Sequence, residues 1–203
     1  VVLKRIHNPI PMYAKQASVE LPAASGSYGY DLMIGDLLKP YGDGEVADFI
    51  FHIAKEIKPY ARNLDVSFLA LGDGIQRYDS AEARHRDGPR QSDFIFPYEA
   101  PVSGYCPSLS EADAAADAIV PHSDSQNRNY NSVNYIFRTR TGDKANGLYG
   151  RIFGTFRFII RETSPIVQFT YYLNPSGTRN LEWDSARNLL INSKRNEYEP
   201  RAK

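Results

Sequence analysis

Three segments with alternating apolar residues decide the fold: VNYIFRT at 133–139, LYGRIFGTFRFII at 148–160 and IVQFTYYL at 166–173. Side chains along a β-strand point to opposite faces in turn, so each segment separates into two rows. The apolar row consists of Val133, Tyr135, Phe137, Leu148, Ile152, Phe156, Phe158, Ile160, Val167, Phe169, Tyr171 and Leu173. This alternation predicts three consecutive strands, and one polar face favours antiparallel pairing.

The opposite row carries arginine and aromatic side chains between its polar members. Arginine, tyrosine and phenylalanine are enriched at protein interfaces, where they supply contact area and directed hydrogen bonds. We therefore predict a protein-binding face formed by Arg138, Arg140, Tyr149, Arg151, Phe153, Arg157 and Tyr172. An ordinary solvated strand face gives the same pattern, with Phe153 covered by a loop or helix. The charged loop predicted at 75–92 is a competing location, because loops often carry binding residues.

The rest of the chain also reads mainly as strands. Short strands are predicted at 17–21, 28–34, 64–71, 93–98 and 180–183. Residues 46–57 fit both helical and strand spacing, and their aromatic and β-branched content favours a strand. Capping residues and alanines predict a helix at 110–119, and Asp184 could cap a second at 185–190. The expected fold is all-β and mainly antiparallel.

This fold class has two forms, a β-sandwich or a partly closed barrel, each with one or two short helices. At 203 residues the chain is expected to form one domain spanning 1–203. Its first residues, 1–12, are expected to be extended because Pro9 and Pro11 exclude a regular helix. Its last, 192–203, are expected to form a flexible tail.

Composition restricts the partners. Lys+Arg and Asp+Glu balance at 24 each, so the chain lacks the basic excess expected of a nucleic-acid-binding protein. No apolar run reaches the roughly 20 residues that a membrane-spanning helix needs. The chain begins at Val1, which fits a removed signal peptide, a trimmed lipid tether or a cloning boundary. With no asparagine glycosylation signal, we expect a bacterial, extracytoplasmic location, although a cytoplasmic one stays open.

Signatures of metal or cofactor chemistry are weak. The four histidines are far apart in sequence, and the single cysteine, Cys106, has no neighbouring base. The repeated Gly-Asp-Gly at 42–44 and 72–74 fits tight turns better than calcium loops. We therefore expect no metal, no cofactor and no catalytic residue.

Three functions fit these observations. The first is a non-catalytic domain that binds another protein, as an inhibitor, an immunity protein or an assembly partner. The second is a carbohydrate-binding sandwich, in which Trp183, Tyr171 or Tyr172 would stack on sugar rings. The third is a hydrolase whose carboxylates are brought together by the fold, with Glu99, Glu162 and Glu182 as candidates.

Overall fold

The computed structural model describes residues 4–55, 61–79, 94–114, 133–142, 147–159 and 164–190. These ranges contain eleven strands and no helix. The strands are β1 Ile10–Glu20, β2 Gly26–Asp31, β3 Asp36–Leu37, β4 Phe49–Lys55, β5 Ala61–Ser67, β6 Gly74–Asp79, β7 Ser108–Ala114, β8 Val133–Thr139, β9 Leu148–Ile159, β10 Ile166–Asn174 and β11 Trp183–Asn188. The prediction of an all-β protein is confirmed. None of the described segments forms a helix long and apolar enough to cross a membrane.

The strands form two separate sheets rather than a barrel. The larger has the order β11-β1-β10-β9-β8-β6, and the smaller has the order β3-β2-β4-β5-β7. Every pair is antiparallel except β1 with β11. The three predicted strands are confirmed as the adjacent strands β8, β9 and β10, and 46–57 contains a strand as expected. Pro11 lies where the β1–β11 register shifts, a position that tolerates the missing N–H.

The main core lies between the two sheets and is rich in aromatic rings. Phe49 of the smaller sheet lies 5.1 Å from Phe137 and 6.0 Å from Phe169 of the larger sheet, measured between ring centroids. Such edge-on pairs add about 0.5–1.5 kcal/mol each beyond the burial of area. The predicted apolar row of β8, β9 and β10 faces this core, except that Val133 is only half-buried and Ile160 lies outside the described residues.

Two predicted helices and the strand predicted at 93–98 are wrong, and the strand predicted at 180–183 begins only at Trp183. Residues 110–114 belong to β7, which pairs with β5 from Ala61 to Ser67; residues 115–119 lie outside the described ranges. Residues 185–188 belong to β11, beside β1. In both places backbone pairing with a neighbouring strand overrides a local preference worth only tenths of a kcal/mol per residue. Residues 94–98 form no strand and instead pack their rings on the outer face of the larger sheet.

Other expectations are met in part. Residues 4–9 have no regular structure, and β1 begins at Ile10, inside the segment predicted as extended. The predicted loop at 75–92 begins with β6, and 80–92 lies outside the described residues, as does the predicted tail at 192–203.

At one end of the sandwich, which we call the loop end, the turns at 32–48, 68–73, 101–107, 140–142 and 175–180 come together through β-ladder registers and side-chain bonds.

Candidate functional site at the loop end of the sandwich

An ion cluster at the loop end joins the two sheets. Arg140, just after β8, donates from Nε to Asp48 Oδ1 (2.8 Å) and from Nη2 to Asp48 Oδ2 (2.7 Å) and Asp31 Oδ1 (2.9 Å). Asp31 ends β2 and Asp48 precedes β4, so both carboxylates belong to the smaller sheet. Arg140 has a φ of +56°, a left-handed conformation that costs a non-glycine residue about 1–3 kcal/mol. We call these three residues the Arg140 clamp.

The protein itself occupies the acceptor sites of both carboxylates. Asp31 accepts from the backbone N–H groups of residues 33, 34, 45 and 46, and Asp48 accepts from Leu32 N (2.8 Å) and Thr139 Oγ1 (3.0 Å). Burial raises the pKa of Asp48, against the opposing effect of Arg140. Burial also acts to raise the pKa of Asp31, but its backbone hydrogen bonds and Arg140 lower that pKa overall. With these donors in place, the pair is structural and not positioned for acid–base catalysis.

The turn between β5 and β6 is fixed to the clamp. Asp73 accepts from Thr141 Oγ1 (2.7 Å), Thr141 N (2.9 Å) and Arg140 N (3.2 Å). On the other side, Arg138 donates from Nε to the carbonyl of Gly72 at 2.7 Å and lies over the Tyr105 ring at 5.1 Å. Gly72 has a φ of +103°, which glycine alone adopts readily. Arg138 at the end of β8 and Thr141 in the turn after it thus hold the second half of 70–73, at Gly72 and Asp73.

This fixed turn presents two leucines to solvent. Leu71 is 103% exposed and Leu69 is 74% exposed, and we call residues 69–72 the leucine tip. The 101–107 turn, with Val102 69% exposed, flanks the start of β6 through the backbone pair Ile75–Cys106 (2.9 and 2.8 Å). Single exposed apolar residues are ordinary, but a fully exposed leucine on a turn held by buried charges is not explained by folding.

The predicted open face of arginine and aromatic residues does not exist as one surface. Arg151 is 1% exposed, and Tyr149 and Tyr172 are also buried, so this expectation is wrong for three of the seven residues. Residues 94–106 cover that face, where Phe94, Phe96 and Ala100 form a second core with residues of the larger sheet. We call residues 94–98 the aromatic cover.

The other four predicted residues are divided among different places. Phe153 is half-buried between the second core and a third small cluster around Trp183. Arg157 is exposed toward the far end of β9. Arg138 and Arg140 are half-buried at the loop end, where they hold the leucine tip and the two sheets. Only these last two are brought together at a site.

Arg151 lies in an aromatic cage. Its guanidinium carbon is 3.8 Å from the ring centroid of Tyr172, 4.7 Å from that of Phe96 and 5.5 Å from that of Phe94. Its Nε and Nη1 atoms are buried and have no hydrogen-bond acceptor among the described residues. Burial lowers the pKa of Arg151 to about 10, partly offset by Tyr172, so the side chain stays charged at neutral pH.

The rings predicted to stack on sugars are not available to a ligand. Trp183 is 3% exposed, and Tyr171 and Tyr172 are buried. Stacking requires an exposed ring face, so these three residues give the carbohydrate hypothesis no support.

The two candidate carboxylates that the structure describes, Glu99 and Glu182, are not paired with each other. Glu99 is exposed and bound to Arg179, whereas Glu182 is buried and accepts from the backbone N–H groups of His7 and Asn8. Glu162 lies outside the described residues. Within the described ranges, no three His, Cys, Asp or Glu side chains are arranged to hold a metal ion. Asp36 accepts from Leu37 N (2.9 Å) and Asp43 N (3.1 Å), as is typical of an aspartate in a turn.

One polar pair was not found from the sequence. Ser27 Oγ and His52 Nδ1 are 2.7 Å apart on the exposed face of the smaller sheet, and Asp65 lies opposite His52 in the β4–β5 register. Neither the 25-residue separation nor any motif connects Ser27 with His52. The sequence likewise predicts a strand at 64–71 that includes most of the leucine tip, whereas β5 ends at Ser67.

Comparison of the chain with protein-family models, curated protein sequences and solved structures gives no significant match.

Proposed function

We propose that this protein is a non-catalytic, protein-binding domain, and that the leucine tip inserts into an apolar pocket of its partner. The observation that carries the proposal is the complete exposure of Leu71 on a turn that Asp73 and Arg138 hold in place. The bacterial extracytoplasmic location predicted from the sequence is part of this proposal, and cell fractionation tests it.

The energetics favour this use of the tip. Full burial of a leucine side chain contributes about 1.5–3 kcal/mol, so Leu71 alone can change an affinity by roughly tenfold or more. A turn that is already fixed does not lose further conformational freedom on binding, which preserves that gain. Because the tip projects outward, the complementary surface is a concave pocket on a folded protein, rather than an extended peptide.

Photo-crosslinking tests the proposal. A photoreactive phenylalanine analogue is placed at position 71 and, as a matched control, at Leu189, which is 36% exposed at the opposite edge of the larger sheet from β6. We expect one adduct with a protein of the source organism from position 71 and none from position 189. Excess unlabelled wild-type protein should suppress the adduct, as should L189D, whereas L71D should not. Equal suppression by L71D, or no adduct from position 71, would refute the proposal.

A second variant separates the leucine from the turn that holds it. D73A keeps Leu71 but removes the acceptor for Thr141 and for Arg140 N. With the partner identified by crosslinking, we expect D73A to weaken binding several-fold, because the tip must be ordered on association. Calorimetric titration should show a more unfavourable binding entropy for D73A. Unchanged affinity would mean that the fixed turn is irrelevant to binding.

The Ser27–His52 contact favours one alternative function, acyl transfer. Ser27 Oγ would attack an ester carbonyl and pass its proton to His52 Nδ1. The alcohol would leave with that proton, and water would then hydrolyse the acyl-serine. A fluorophosphonate should modify Ser27 in the wild type and not in S27A, with slower reaction in H52A and unchanged reaction in S67A. Absence of modification at Ser27 would exclude this alternative.

A further inference from the structure

The outer face of the larger sheet contains buried N–H donors for which the described residues supply no acceptor. In the described part of the chain these are Arg151 Nε and Nη1, Asn134 Nδ2 and Trp183 Nε1. Tyr172 connects two of them, because its ring contacts the Arg151 guanidinium on one side and lies 5.0 Å from the Trp183 ring. Asn134 lies on the neighbouring strand β8, where its Oδ1 accepts from Gly154 N. The unmatched groups are thus all donors, and they share one face.

Folding alone does not explain a charge at position 151. Removing a guanidinium from water carries a penalty that ring contacts offset only in part, whereas an anionic partner offsets it far better. No ion pair or hydrogen bond joins Arg151 to any described residue. A methionine would fill the same space between the rings without that penalty. A ligand that supplies negative charge and accepts hydrogen bonds would therefore offset the cost of burying Arg151.

We propose that Arg151 is the charge partner in a concealed site for a small carboxylate ligand, beneath the aromatic cover. A carboxylate matches the unmatched atoms because it accepts hydrogen bonds, donates none and fits the planar fork of a guanidinium. The aromatic rings around Arg151 exclude water and strengthen that contact. This site is separate from the leucine tip and does not depend on it.

Access requires the aromatic cover to shift. Phe94 and Phe96 lie over Arg151, and the cover is held at Phe96, whose carbonyl accepts from Lys4 Nζ, and at Tyr98, whose carbonyl accepts from Leu181 N (2.9 Å). Lys4 lies over the rings of Phe94 and Tyr98 at 4.9 and 4.5 Å. A second cation therefore lies on the aromatic cover, and its charge favours the approach of an anion.

The single tryptophan of the chain reports on this site, because Trp183 contacts Tyr172. Sodium acetate is titrated at constant ionic strength, held with sodium fluoride, while Trp183 fluorescence is recorded. Acetamide serves as the neutral ligand of the same shape. We expect a saturable change with acetate, and binding weaker by about tenfold or more with acetamide or in R151M, since a charge-assisted hydrogen bond is lost.

R157M is the matched variant, because Arg157 is an exposed arginine on the same strand, and it should bind acetate as the wild type does. R151K keeps the charge without the fork and should give intermediate affinity, which preserves the test if R151M does not fold. A response that is absent, that acetamide reproduces, or that R151M and R151K retain in full would overturn the proposal.

Discussion

Asp48→Ala should be among the most damaging substitutions in the protein. Asp48 is fully buried and accepts four hydrogen bonds, from Leu32 N, from Thr139 Oγ1 and from two nitrogens of Arg140. The variant leaves these donors buried without that acceptor, and Arg140 keeps only Asp31. Loss of one partner from a buried ion pair costs about 3–5 kcal/mol, and the separate bonds do not add in full because they share one carboxylate.

Urea unfolding followed by Trp183 fluorescence measures this effect. We expect D48A to lose about 3–5 kcal/mol of unfolding free energy, a large part of the roughly 5–15 kcal/mol typical of a domain. D48N, which keeps the shape and one acceptor, should lose less and stays measurable if D48A does not fold. The control is D184N, whose solvent-screened bond to Arg187 should contribute little to the unfolding free energy. A loss below about 1 kcal/mol in D48A, with unchanged urea dependence, would refute the assignment of the clamp as the connection between the sheets.

Three further predictions use the same unfolding assay. R151M should leave the unfolding free energy unchanged or raise it by about 1–4 kcal/mol, because a buried charge is replaced by an apolar side chain of similar length; a loss would show that the charge stabilises the fold. G150A should lose about 1–3 kcal/mol or more, since its Cβ would lie 2.2 Å from Phe137 Cζ and 2.5 Å from the Tyr172 carbonyl oxygen, whereas G142A, with 3.8 Å to the nearest atom, should change little. The pKa of Asp31 is lowered by folding, so its ionised form stabilises the protein above the unfolded pKa of about 3.9 and the contribution is lost as pH falls through the folded value. The stability difference between the wild type and D31N should therefore be full at pH 7 and shrink at lower pH; a constant difference would contradict the lowered pKa.

Period-two alternation was sufficient to predict the central strands. Phe137, Phe156 and Phe169 fall on one row in the sequence and meet in the core between the sheets. That prediction works because burial of large apolar side chains is the dominant favourable contribution to folding, and one face of a sheet must receive it. The alternation predicts which face of each strand packs in the main core, but it does not predict what covers the opposite face.

The candidate site could not be predicted because it depends on contacts between distant parts of the chain. Arg140 and Asp48 are 92 residues apart, and each looks like an ordinary surface residue until the two sheets meet. The aromatic cover explains the error at Arg151. The sequence predicts a strand at 93–98, but these residues form no strand, and the rings of Phe94 and Phe96 pack on the opposite row of β9. Alternation shows which side chains of a strand face away from the main core. It does not show whether a second layer of residues covers them, because such a layer leaves no periodic pattern in the sequence.

The leucine tip and the Arg151 cage represent two different departures from a sequence selected for stability alone. Leu71 gains nothing from folding because it is fully exposed, yet Asp73, Arg138 and Thr141 are committed to holding its turn. Arg151 is costly in the folded state, although an apolar residue would fit between the same rings. Departures of this kind are expected at functional sites, where stability is given up for recognition. The two sites differ in the direction of the test: removing Leu71 should impair binding and leave stability unchanged, whereas R151M should impair binding and leave stability equal or higher.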